Sequence, residues 1–325
     1  MKHLALLEVH NLKTYYMIRR GYVKAVDDVN FQVEKRESLG LAGESGCGKT
    51  TVAISILRIL PSNARIMDGQ TIFDGTDILN IPESEMREKI RWKGISLIFQ
   101  GAMNALNPVY NVGNQISEAI LTHEPEVSKD EALERAKKLF DLVGIEPSRI
   151  NNYPHEFSGG MRQRAMIAMA LACNPKLLIA DEPATALDVI VQAQILKLFK
   201  DLKEKLNLSM ILITHDLSII AETCEKVSIM YAGKIVEQGD IVEIFKNPLH
   251  PYTQGLIGSF PEISSKEKMN MYSIPGSPPD LLTPPNGCRF WPRCKYAFEK
   301  CKLTEPEETN IGKNHWVACH MTEKA

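Results

Sequence analysis

Eight residues, Gly43-Glu44-Ser45-Gly46-Cys47-Gly48-Lys49-Thr50, fit the spacing G-x-x-x-x-G-K-[ST], and Thr51 follows them. Glycines so placed let the backbone turn tightly enough to aim N–H groups at phosphate oxygens. A helix beginning directly afterwards adds positive dipole density at the same point. Lys49 is placed to reach the β and γ phosphates of a nucleotide, and the Thr50 hydroxyl to ligate Mg²⁺. Further along, the apolar run Leu177-Leu178-Ile179-Ala180 ends in Asp181-Glu182. Two carboxylates at a strand end are, alone, an ordinary surface turn. Downstream of a phosphate loop they divide into two jobs, Asp181 toward the magnesium sphere and Glu182 toward an attacking water as general base or positioning group. Ser158-Gly159-Gly160 offers a capping hydroxyl and accessible backbone donors at a helix start, a second anion site. One nucleotide does not need two such sites in one chain, so the pair implies two subunits sharing composite nucleotide sites.

The elements that must carry these residues are legible around them. Ser38–Ala42 reads as a short buried strand feeding the glycine loop, and the apolar stretch 52–60 as the helix after it. The opening Leu-Ala-Leu-Leu-Glu-Val (4–9) and the alternating Val29, Phe31 and Val33 predict half-buried strands joined near Gly21. Residues 95–99 predict another strand. From about 102 to 165 the pattern turns helical, with Leu133, Ala136, Leu139 or Phe140, and Val143 at helical spacing and Gly144 as the stop. Residues 177–180 and 210–213 predict buried strands, separated by a helix whose apolar face holds Ile195, Leu198, Leu202 and Leu206. Ala232-Gly233 sits between two strand-like runs as a hairpin turn.

Composition sets the class. Among 325 residues, 38 Lys plus Arg against 40 Asp plus Glu gives no electrostatic basis for capturing nucleic acid. No stretch reaches the roughly 18 to 20 apolar residues of a spanning helix, and the first residues lack a secretory signal pattern. The expectation is a chain at the cytoplasmic face, reaching the membrane only through partners. Four of the seven cysteines, Cys288, Cys294, Cys301 and Cys319, crowd into a proline-rich C-terminal stretch that must be packed or stapled. In a reducing compartment such thiols point to metal ligation ahead of disulfides, with zinc or an iron–sulfur cluster as the guest. His315 and His320 leave mixed ligation open, and reduced structural thiols are a further alternative.

The ordered series resembles the ATP-binding subunits of ABC transporters, and in particular those of dipeptide and oligopeptide importers, over almost the whole chain. GESGCGKT matches the phosphate loop, Gln100 after Ile-Ser-Leu-Ile-Phe the lid glutamine, Phe157-Ser158-Gly159-Gly160-Met161-Arg162-Gln163-Arg164 the signature, Thr185-Ala186-Leu187-Asp188 the D-loop, and Thr214-His215-Asp216 the switch. Phe157 stands where the family commonly has Leu, Met161 where it has Gln and Ala184 where it has Thr. None of these removes Ser158, Gly159, Gly160, Glu182 or His215, so a competent ATPase is expected.

The resemblance implies an α/β ABC-type P-loop ATPase with a mixed sheet core, a helical subdomain and a small C-terminal extension. Residues 1–256 would form the nucleotide-binding domain, with the helical insert at about 102–165, and 257–325 the extension. ATP would lie against Tyr16 (Tyr15 being the neighbouring alternative) and Gly43, Ser45, Gly46, Cys47, Gly48, Lys49, Thr50 and Thr51. Gln100 would sense magnesium and water, His215 would contact the γ phosphate, and Asp188 would link opposed sites. Magnesium would be held by Thr50, Gln100 and Asp181, and a [4Fe-4S] cluster, with Zn²⁺ as the alternative, by Cys288, Cys294, Cys301 and Cys319. Expected partners are a second, heterologous ABC ATPase, two transmembrane permeases and an extracellular or periplasmic peptide-binding protein. The function implied is ATP-driven peptide import. Import of nickel or another small solute, a soluble remodelling ATPase and a non-hydrolysing ATP-binding module are the alternatives.

Overall fold

The computed structural model describes residues 5–259, 274–312 and 314–322. Leu4, at the head of the first expected strand, and residues 260–273 of the expected extension lie outside them. The strands, in chain order, are β1 (Leu7–Ile18), β2 (Gly21–Val33), β3 (Ser38–Ala42), β4 (Ala64–Phe73), β5 (Thr76–Asp77) and β6 (Ile95–Ile98). They continue with β7 (Leu177–Asp181), β8 (Ser209–Thr214), β9 (Lys226–Tyr231), β10 (Lys234–Asp240), β11 (Glu308–Gly312) and β12 (His315–Ala318). The chain divides into two compact units, one from Met1–Val33, Ser38–Leu79 and Ile213–Ala325, the other from Glu34–Glu37 and Asn80–Leu212.

The first unit holds an antiparallel sheet in the order β2-β1-β4-β5 and a mixed one in the order β11-β12-β10-β9-β3. In the mixed sheet β3 runs parallel to β9, and every other pair is antiparallel. The β9–β10 hairpin turns through Ala232 at φ 48° and Gly233 at φ 86°, the left-handed pair that a two-residue turn requires to match strand twist. The C-terminal hairpin was not legible as strands, yet β12 pairs with β10 through Glu237↔Val317 and Gln238↔Trp316. Beneath that pairing Glu237, 1% exposed, accepts from the Leu249 and His250 amides at 2.7 and 3.0 Å and meets His315 Nε2 at 2.7 Å. A buried carboxylate persists only with such partners.

The second unit carries β8, β7 and β6 side by side, β6 and β7 parallel, with the helices Val112–His123, Lys129–Leu142, Gly159–Ala170 and Val189–Leu206. Asn111, Ser128, Ser158 and Asp188 each accept a backbone N–H at the start of one of these helices. Each of two expected stripes holds at all but one position. In Lys129–Leu142 the buried positions are Ala132, Ala136 and Phe140, continued by Val143 beyond the helix, and Leu133 is only half-buried. In Val189–Leu206 the core face is Ile195, Leu196, Leu198, Phe199 and Leu202, while Leu206, 40% exposed, lies off it in the last turn, which left-handed Asn207 closes by donating to the Lys203 carbonyl. No helix among the described residues is long and apolar enough to cross a membrane.

Candidate functional site

In the first unit, β3 is buried along its whole length and delivers the chain into the loop 43–48 and the helix Lys49–Ile56. Gly43 and Gly48 have φ of 150° and 108°. A Cβ would come within 2.1 Å of the Met230 carbonyl oxygen at Gly43, and within 2.0 Å of that of Ala25 at Gly48. The loop therefore lies against the backbones of β2 and β9 with no room for any side chain at those points. Ser45, Gly46 and Thr50 are exposed, whereas Cys47, Lys49 and Thr51 are buried. Lys49 Nζ donates to the Gly43 and Glu44 carbonyls at 2.7 and 3.0 Å, which bends the loop around its ammonium group. Burial pushes the Cys47 thiol pKa up, outweighing Lys49 beside it, so Cys47 packs as a small apolar residue.

Of the two adjacent tyrosines on β1, Tyr16 reaches the helix after the loop, its hydroxyl 3.2 Å from Thr51 Oγ1. Tyr15 donates to Asp27 at 2.5 Å instead. His215, exposed just past β8, also belongs to this unit, and Asp216 after it caps the helix Leu217–Thr223.

In the second unit, Asp181 ends β7 at 1% exposure. Glu182 follows at φ 45°, a left-handed backbone that a non-glycine residue adopts at a cost of about 1–2 kcal/mol. Its Oε2 accepts from Gln100 Nε2 at 2.9 Å and from Thr185 Oγ1 at 3.0 Å, so the carboxylate is oriented from two sides. Thr185 was missed as a partner because a hydroxyl three residues away carries no pattern of its own. Ser158 caps the helix Gly159–Ala170 by accepting from Met161 N at 3.3 Å. Phe157 is buried, edge-on to Phe140 at 6.1 Å between ring centroids. Asp188 accepts from Val191 N at 2.9 Å as the next helix cap. The structure thus joins Gln100 to Glu182, and Tyr16 to Thr51, each within its own unit.

Within the first unit the loop gathers backbone N–H groups, the buried Lys49 ammonium and the exposed Thr50 hydroxyl; within the second, the Asp181 carboxylate and the Gln100 amide carry oxygen donors of the kind magnesium prefers. The four clustered cysteines fare otherwise. Among the described residues no group of three or more His, Cys, Asp or Glu side chains is disposed to hold a metal ion. The iron–sulfur or zinc site expected at Cys288, Cys294, Cys301 and Cys319 is therefore corrected. These thiols and Phe290, Trp291, Pro251 and Met321 line a cavity of about 10 Å³, room for about one water. Burial pushes the Cys288 thiol up to about 12 and Cys319 to about 11, and raises Cys294, which favours neutral thiols over the thiolates a metal needs. His320 is engaged by the Thr304 carbonyl at 2.9 Å, and His315 by Glu237.

One contact of the loop had no sequence signal at all. Arg293 forms a two-pronged ion pair with Glu44, Nη1 to Oε2 at 2.6 Å and Nη2 to Oε1 at 2.9 Å, across 249 positions of sequence. The hydrogen bonds to Glu44 raise the guanidinium pKa above its ordinary value, burial opposing.

Residues 26–185 match the family described as ABC transporter, and residues 236–301 the one described as oligopeptide/dipeptide transporter, C-terminal region. The chain is 48% identical over 306 residues to the oligopeptide transport ATP-binding protein OppD of Escherichia coli, covering 94% of this chain and 90% of that one. It is 47% identical over 315 residues to the OppD of Bacillus subtilis, covering 96% and 87%. Among solved structures it resembles the dimeric MJ0796, a bacterial ABC transporter cassette, with TM-score 0.64 and 26% identity over 72% of this chain and 98% of that one. The mixed sheet, the helical subdomain and the glycine loop are those of the ABC-type P-loop ATPase fold, and the chain belongs to the ABC transporter family, among the ATP-hydrolysing subunits of oligopeptide and dipeptide importers.

Proposed function

We propose that this chain hydrolyses ATP at the cytoplasmic face of a membrane to drive di- or oligopeptide import through two permease subunits. Peptide would be delivered by an external binding protein, and the second ATPase would be a related but different chain. Residues 1–256 act as the nucleotide-binding body and 257–325 as its extension. The observation that carries the reading is the phosphate loop, folded around buried Lys49 and seated where two glycines admit no side chain.

The loop amides and Lys49 bind the β and γ phosphates, and Tyr16 lies against the base. Thr50, Asp181 and Gln100 would hold Mg²⁺, which when bound draws charge from the phosphate oxygens. Gln100 and Thr185 fix the Glu182 carboxylate, which orients a water and takes its proton as the oxygen attacks the γ phosphorus. The bond to ADP breaks, and His215 steadies the departing phosphate. Ser158, Gly159 and Gly160 serve the nucleotide of the opposing subunit, so closure of the pair excludes bulk water and product release reopens it.

The test is reconstitution with the cognate permeases and binding protein. Hydrolysis stimulated by peptide, with peptide uptake, is the expected result. Hydrolysis that no di- or oligopeptide stimulates, with no uptake, refutes the transport assignment.

A further inference from the structure

The stretch 287–294 returns two arginines to the surroundings of the phosphate loop. Arg289 and Arg293 are each 8% exposed. Arg289 pairs with Asp27 on β2 and donates to the Ala232 carbonyl at the β9–β10 turn. Arg293 lies over the Tyr231 ring at 5.7 Å, donates to the Pro275 and Gly276 carbonyls at 2.8 and 3.3 Å, and pairs with both carboxylate oxygens of Glu44. Glu44 is also where the loop is held from other sides. Its amide donates to the Tyr252 hydroxyl at 2.9 Å, and its carbonyl accepts from Lys49.

A carboxylate in that position works against the loop, because everything else there is arranged to attract a polyanion. The planar guanidinium offsets that charge, and its fork fixes the carboxylate in two directions at once, which an ammonium cannot do. We propose that Arg293 is a positioning residue of the ATP site. By neutralising and holding Glu44 it keeps the loop receptive to triphosphate, so the C-terminal extension sets nucleotide affinity through one ion pair. This deepens the assignment of residues 43–50 as the phosphate loop and rests on it.

The test is equilibrium binding of MgATP to the full-length chain, with steady-state hydrolysis in the reconstituted complex. Arg293→Met is expected to weaken MgATP binding about five- to thirty-fold, the effect of one uncompensated charge several ångströms from a polyanion in a partly screened site. The KM for ATP should rise by the same factor with kcat little changed, as uniform binding predicts. Adding Glu44→Gln to Arg293→Met should restore most of the affinity. Glu44→Gln alone keeps the guanidinium, does not depend on the stability of Arg293→Met, and should tighten MgATP binding, since a neutral amide replaces the one charge that opposes the phosphates.

Native affinity in Arg293→Met, alongside lost affinity in Lys49→Ala, overturns the proposal and leaves the loop assignment standing. A double variant no better than Arg293→Met, or a Glu44→Gln no tighter than the parent, also overturns it, because the pair would then act only as packing. Unchanged affinity in Lys49→Ala overturns the loop assignment and the proposal together.

Discussion

Gly48→Ala places a methyl group where the phosphate loop meets β2. The new Cβ would sit 2.0 Å from the Ala25 carbonyl oxygen, 3.2 Å from its carbon and 3.1 Å from Met230 Cε. The methionine tip can swing away, but the carbonyl belongs to a strand and cannot. Nearby backbone is pinned by Gly233 N to the Cys47 carbonyl at 2.9 Å and by Asp27 N to the Gly233 carbonyl at 2.8 Å. Gly48 itself must stay at φ 108°, because its carbonyl accepts from Val52 N at 3.0 Å to begin the helix. The left-handed backbone costs alanine about 1–2 kcal/mol and relief of the clash about 1–3 kcal/mol, together about 2–5 kcal/mol. If the loop yields, the whole amount is lost from ATP binding, about 30- to 4,000-fold in Kd. If the loop holds, it is lost from folding. Calorimetric melting and titration with MgATP, run side by side, therefore capture the sum. Gly75→Ala is the control, since Gly75 has φ 85° and open space at its Cβ, so only the backbone cost of about 1–2 kcal/mol applies. A Gly48→Ala protein that melts and binds MgATP like the parent would refute the reasoning.

Glu182→Gln should lower hydrolysis about 10²- to 10⁴-fold while leaving MgATP binding intact, and a turnover assay showing ordinary rates removes Glu182 from its role. Tyr16→Ala should weaken ATP binding by about 1–3 kcal/mol through lost stacking, and Tyr16→Phe should stay close to the parent in the same titration. His250 is buried and its pKa is lowered by desolvation to about 4 from 6.5, Glu237 opposing. The unfolded chain thus takes up a proton that the folded one refuses, and this contribution to stability, about 3 kcal/mol, is present above pH 6.5 and lost as pH falls toward 4. His250→Asn keeps an acceptor for the Tyr252 amide, so denaturant unfolding between pH 6.5 and 4 should flatten, and an unchanged slope would count against His250 as its source.

What could be read from the sequence was local. The loop, the capping Ser158, the carboxylates ending β7 and the Ala232-Gly233 turn each depend on a few adjacent residues whose backbone demands are specific. The helical stripes were found but set one residue off at Leu133, because leucine and alanine compete for the same face and packing decides. Arg293 with Glu44, and β12 with β10, were invisible, since pairing across such distances leaves no periodicity. The cysteine cluster misled for a related reason: spacing counts thiols, whereas holding a metal also needs room and thiolates, and here the four line a cavity of about 10 Å³ in which burial raises Cys288, Cys294 and Cys319.

The β10–β12 pairing also imposes an order of events on synthesis. His315, which completes the environment of Glu237, is translated 75 positions after Asp240 closes β10. At about 5–20 residues per second, the edge of β10 waits about 4–15 s for its covering strand. During that interval a carboxylate destined for the interior has no imidazole to meet it, and the bare edge can recruit any neighbouring strand. A chain released before that point would present an open strand edge above a carboxylate held by the Leu249 and His250 amides alone.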